Sequence, residues 1–232
     1  MKKLTFLTLL SFACVVAACN DHKVQSEANR PIKTGGDLVI ARTSAASVDV
    51  GGTARLDDVR VLGDCCVAGD AHLAMVTVGG KLRCKGACQA KTLQAHEVAL
   101  AGASTLDSMT AAGDLEVRGD ATITNSTVRG TTNVFGQLNA TDCALAKVVV
   151  AVDKDLKITL TRSTADNMVV KNQTGFSAFG VQLGSPVNAI ASVVLDGTTI
   201  QGDVEFKDVV GTVELRNNAQ VRGNVLGGII KR

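Results

Sequence analysis

Residues 113–129 read GDLEVRGDATITNSTVR, and this stretch decides the fold. Leu115 and Val117 flank Glu116, and Ala121 and Ile123 flank Thr122, so apolar and polar residues alternate within each short run. Successive side chains point to opposite sides of a strand, so each run is a strand with one buried side. Val128 serves a third run, and Gly113 and Gly119 stand where the chain has to turn. The stretch is therefore one coil of three short strands separated by corners.

The coil repeats. Glycines recur at Gly52, Gly69, Gly86, Gly102, Gly119 and Gly136, with gaps of 16 or 17 residues, and Gly63, Gly80, Gly113 and Gly130 keep the same beat. So short a period marks a solenoid in which each repeat stacks on the last. Aligning the repeats gives three pairs of inward columns. The first runs through Ala54/Leu56, Ala71/Leu73, Cys88/Ala90, Ser104/Leu106, Ala121/Ile123 and Leu138/Ala140. The second comprises Cys65/Val67, Leu82/Cys84, Val98/Leu100, Leu115/Val117 and Val150/Val152. The third comprises Val59/Val61, Val76/Val78, Leu93, Met109, Val128 and Cys143/Leu145. Small and branched side chains stacked this way fill a narrow core, which suits a chain with 3% aromatic residues and no Trp or Tyr.

The expected fold is all-β: a single-stranded parallel β-solenoid, right-handed, over residues 35–232. Its 17-residue coils widen to about 20 residues toward the C-terminus. Residues 171–192 lose the columns and read as an irregular insertion, after which 193–206 matches 213–226. Glycine steps of six and eleven argue against a left-handed hexapeptide helix, which needs steps of six throughout. Gly-Asp occurs six times, where glycine is expected to supply φ > 0 and Asp to bond its own turn.

The N-terminus carries an address. Lys2 and Lys3 precede an apolar run, Leu4–Val16, too short to span a bilayer as a helix and flanked like a signal peptide. Val16-Ala17-Ala18-Cys19 resembles the lipobox of bacterial lipoproteins. That resemblance implies removal of residues 1–18, lipidation of the Cys19 thiol and anchoring in a membrane of the bacterial cell envelope. Asn20, in place of an aspartate, favours the outer membrane. Residues 19–34 then read as a lipidated, flexible tether, polar and without periodicity.

Formal net charge is +2, and losing Lys2 and Lys3 brings it to 0. Without a basic run or stacking aromatics, the chain offers nothing for nucleic acid. Cys65, Cys84, Cys88 and Cys143 fall in inward columns and read as small core hydrophobes, whereas the Cys66 column faces solvent. A disulfide across the corner at Gly86, between Cys84 and Cys88, is the alternative pairing. A metal site of Cys65, Cys66, His72, Cys84, Cys88 and His96 would need its ligands to converge, and their columns diverge. No metal, cofactor or catalytic residue is expected. No outer column carries the carboxylate pairs of a glycosidase, and GxSxG, P-loop and calcium nonapeptide motifs are absent.

The GDxxVxGDAxI-type coils over about 36–232 resemble the bactofilin, or polymer-forming, class of β-helix, and also the β-helical domains of adhesin-like lipoproteins. The resemblance implies a compact rod without catalytic residues, and for bactofilins a cytosolic, self-polymerising one. A signal peptide, an interrupted middle and roughly twice as many coils set this chain apart. The expected function is a non-enzymatic, lipid-anchored structural, adhesive or scaffold protein. Its expected partners are the membrane and an envelope protein or polysaccharide; self-assembly through the rod ends and a carbohydrate-active enzyme are the alternatives.

Overall fold

A computed structural model describes residues 30–172, 177–178, 181–182 and 189–231. Among them there is no helix, and every ladder is parallel except a small hairpin pairing Ser177–Ala178 with Val181–Gln182. The chain winds as a β-solenoid of about 11 turns, a rod of about 50 Å at strand spacing. Each coil contributes to three faces. Face I stacks Ile32–Thr34, Val48–Val50 and Cys65–Val67 and continues to Val204–Lys207 and Val225–Leu226. Face II begins at Leu38–Ala41 and Ala54–Asp57, and face III at Thr43–Ala45 and Val59–Val61.

Periods of 17 hold through most of the stack: Ala54 pairs with Ala71, Cys65 with Leu82 and Ala121 with Leu138. The first strand, Ile32–Thr34, already pairs with Val48–Val50, so the solenoid begins inside the stretch read as tether. Widening arises on face I, where Lys147–Val152 runs two residues past the pairing of Thr131–Val134 and stacks on Asn167–Asn172 at a spacing of 20. One corner residue is also lost between Val128 and Thr131. Leu115 and Val117 therefore stack through Thr132 and Val134 onto Val148 and Val150, rather than onto Val150 and Val152. The irregular stretch is shorter than the sequence implied. Lys171 and Asn172 end one strand, Ala191 and Ser192 belong to another, and Leu160 pairs with Leu195, 35 residues on. A single coil thus carries the inserted residues at its corner between faces I and II.

The core is one continuous apolar column, with Leu56, Leu82, Leu93, Leu106, Leu115, Ile123, Ile158 and Met168 fully enclosed. Its corners work in two ways. The glycine corners, between faces III and I and between I and II, close against the coil below. A Cβ on Gly52, Gly80, Gly86, Gly130 or Gly223 would strike the Asp side chain one coil earlier. Each of those aspartates accepts a hydrogen bond from a backbone N–H of the next coil: Asp37 from Thr53 at 2.7 Å, Asp64 from Lys81 at 2.9 Å and Asp70 from Ala87 at 2.8 Å. Asp114, Asp120 and Asp203 do the same for Thr131, Gln137 and Asn224. Gly-Asp is thus a clamp between coils, and glycine is required there chiefly for close approach. This replaces the expectation that Asp bonds its own turn.

The third corner, between faces II and III, has almost no glycine. It turns on one residue per coil with left-handed backbone: Arg42, Asp58, Met75, Thr92, Ser108, Asn125, Asp142 and Arg162, with φ between 46° and 58°. The inward residue that follows is apolar in early coils (Val59, Val76, Leu93, Met109) and becomes Ser126, Cys143, Ser163 and Thr198 in later ones. There the backbone N–H of Met109 donates to Ser126 Oγ at 3.0 Å. Cys143 N–H donates to Ser163 Oγ at 3.0 Å, and Ser163 N–H to Thr198 Oγ1 at 3.1 Å. These buried hydroxyls satisfy donors that the sharp turn takes out of the ladder.

Candidate functional site

Outward side chains on face II stand in two columns because alternate residues of each strand leave the sheet on the same side. Across successive coils the first column reads Arg55, His72, Gln89 and Thr105, and the second Asp57, Ala74, Lys91 and Asp107. Between them lies an open groove of about 570 Å³ floored by Leu56, Leu73 and Ala90. Ala74 lowers one wall, and the left-handed corner at Asp58, Met75 and Thr92 runs alongside it. Asp107 closes the groove and is tightly held: Asn125 Nδ2 and Thr124 Oγ1 each donate to its Oδ1 at 3.0 Å, and Ser108 Oγ donates at 3.3 Å. Those bonds, Asn125 first, hold its carboxyl below the usual range, so it is an ionised acceptor and not a proton donor. Lys91 stands one coil away from it, and His72 and Arg55 supply donors further along the groove. The set suits hydrogen bonding to an extended polar molecule lying along the rod.

The acids on the other faces are mostly engaged. Asp49 pairs with Lys33 at 3.4 Å, Glu97 with Lys81 at 3.2 Å and Glu116 with Arg118 at 2.7 Å. At the left-handed corner Arg162 grips Asp142 with both Nε (2.8 Å) and Nη2 (2.7 Å) from one coil further on. Those bonds hold Asp142 below the usual carboxylate range.

The cysteines lie where their columns put them. Cys65, Cys84, Cys88 and Cys143 are buried, Cys66 is half-buried, and all five are free thiols. Burial above all, with Cys66, Cys84 and Asp64 nearby, pushes the Cys65 thiol up to about 12. Cys66 faces outward with Arg83 Nη1 4.0 Å from its sulfur. His72 joins the groove and His96 is exposed at a corner. Among the described residues no three His, Cys, Asp or Glu side chains gather into a metal-binding group. Cys19 lies outside the described residues.

The C-terminal end of the rod is the second notable surface. Strands Gln220–Val221, Val225–Leu226 and Gly228–Lys231 each pair on one side only among the described residues. Leu226, Ile229 and Ile230 are exposed there, at 46%, 61% and 45%. Leu215, Ala219, Val221 and Ile230 line a hollow of about 540 Å³ with Asn218 and Arg222 at its rim. The first coil differs: Leu38, Ile40 and Ala45 are buried.

The chain matches no protein-family model, no curated protein and no solved structure.

Proposed function

We propose that this chain is a non-enzymatic β-solenoid rod held on the bacterial envelope, on the outer membrane, by a lipid on Cys19, with a structural, adhesive or scaffold role. The observation that carries the reading is how the surface polar groups are used. All six Gly-Asp carboxylates clamp one coil to the next, and Asp142 and Glu97 pair with cations across coils. A surface committed to its own stacking supports a rigid spacer or display role. The groove on face II supplies a place for an envelope polysaccharide or protein segment. Two or three acyl chains, at about 0.8 kcal/mol per buried CH₂, would make the attachment effectively permanent. Fractionating cells that produce the full chain or Cys19→Ser tests this. The wild type is expected in the membrane with acyl mass on Cys19, and the variant in the soluble fraction. Equal membrane retention of both would end the anchor reading.

The C-terminal coil, paired on one side only among the described residues, favours a second reading, self-association through rod ends, since strand edges with exposed apolar side chains are templates for pairing. Sedimentation of the full chain over a concentration series should then show assemblies. Monomers at every concentration would remove it.

A further inference from the structure

We propose that Cys84 and Cys88 are a disulfide-forming pair, oxidised by exchange with a protein disulfide or glutathione disulfide in the compartment the chain is exported to. The export clause rests on the envelope reading above; the choice of pair rests on geometry. Cys84 is the last inward residue of face I and Cys88 the first inward residue of face II in the same coil, with only Lys85, Gly86 and Ala87 between them. Both side chains enter the core at this corner, and each thiol is the largest influence on the other's ionisation. The Cys84 thiol also lies 3.2 Å from the Gly69 carbonyl and 3.5 Å from that of Gly86. The other thiols are placed differently. Cys65 stacks on Leu82, two residues along the strand from Cys84; Cys66 faces outward; Cys143 occupies the left-handed corner several coils on.

The exchange balances in two steps. Cys84 thiolate attacks one sulfur of the external disulfide; that S–S bond breaks, the departing thiolate takes a proton, and a mixed disulfide remains on Cys84. Cys88, deprotonated to solvent, attacks the Cys84 sulfur and expels the second external thiolate. Two protein thiols lose two electrons and the external disulfide becomes two thiols. Once the corner has formed, Cys88 beside it favours the thiolate form of Cys84 while Cys84 disfavours that of Cys88, so Cys84 is the attacking group. Both sulfurs are enclosed in the finished coil. Exchange therefore belongs to folding, before the next coil closes over the corner, and the completed bridge is shielded from reductants.

Lys85 between the thiols makes the test direct. The full-length chain is refolded in a glutathione redox buffer, its free thiols are alkylated, and it is digested with trypsin without reduction. The expected product is Cys84–Lys85 joined to Gly86–Lys91 through one S–S bond, resistant to mild reductant until urea is added, and lost in Cys84→Ser. Two separately alkylated peptides, or either one joined to Val61–Lys81 with its Cys65 and Cys66, would overturn the pair. The same digest is run on chain made in cells with its leader. A bridge there supports both clauses; a bridge on refolding with reduced cellular chain keeps the pair and overturns the export reading.

Discussion

Thr92 holds φ at 58° on a corner where other coils place Asn125 and Asp142. A β-branched side chain crowds the carbonyl in this region, while Asn tolerates it by bonding locally. Thr92→Asn is therefore expected to stabilise the rod by about 1 kcal/mol, read as a higher thermal midpoint. Thr132 is a second misfit of a different kind. It faces inward between Leu115 and Val148, is fully buried, and its Oγ1 has no hydrogen-bond partner. Thr132→Val removes an unsatisfied hydroxyl at nearly constant shape and should raise stability by about 1–2 kcal/mol in urea unfolding. Neither misfit was legible in the repeat. Inward columns follow from period-two alternation, but left-handed corners at Asp58, Met75 and Thr92 carry no glycine to betray them. The face II groove is different: the aligned columns already place Arg55, His72, Gln89 and Thr105 in one outward row, but alternation alone does not show that the surface between the two outward rows is hollow.

Between coils, the Gly-Asp clamp makes two residues depend on each other. Gly80 sits over Asp64, whose Oδ1 accepts from Lys81 N–H at 2.9 Å and occupies the place a Cβ on Gly80 would need. Gly80→Ala should lose about 2 kcal/mol or more. In an Asp64→Ala background the same change should lose about 1 kcal/mol less, because the obstructing side chain is gone. A cycle that sums additively would show that backbone crowding, not the carboxylate, selects glycine. The Asp142–Arg162 grip gives a pH signature. Its depressed folded pKa, below the unfolded value of about 3.9, means its stabilisation is present above that value and fades as pH falls through the folded one. Wild type should therefore melt above Asp142→Asn at neutral pH, since Asn suits the left-handed corner and only the ionic bond is lost. The two midpoints should converge as pH falls through the folded value of Asp142. At this scale the glycine beat located two corners in most of the 17-residue coils. It misassigned what the aspartates do, because a partner 16 to 21 residues away looks unrelated until the coils are stacked.

Stacked coils touch only their neighbours, so stability is a sum of coil and interface terms along one axis. The periodicity in residues 113–129 was enough to establish that axis, because one strict coil constrains all that pack on it. It could not reveal which coil pairs on one side only among the described residues, because the same pattern of alternation continues there. The two positions should respond very differently to the same chemistry. Leu106 is completely enclosed between Ala90 and Ile123, so Leu106→Ala leaves a cavity that both neighbouring coils share and should lose about 2–5 kcal/mol. Ile230 is 45% exposed on the last coil, and Ile230→Ala should change stability by about 0.5 kcal/mol or less. Hydrogen exchange should follow the same order. Amides of Gln220–Val221, Val225–Leu226 and Gly228–Lys231 should exchange through local fraying, and those of Ser104–Ala111 only with opening of the stack. Uniform protection from end to end would mean that the terminal coil is covered in solution, and pairing of one rod end with another would be the first thing to look for.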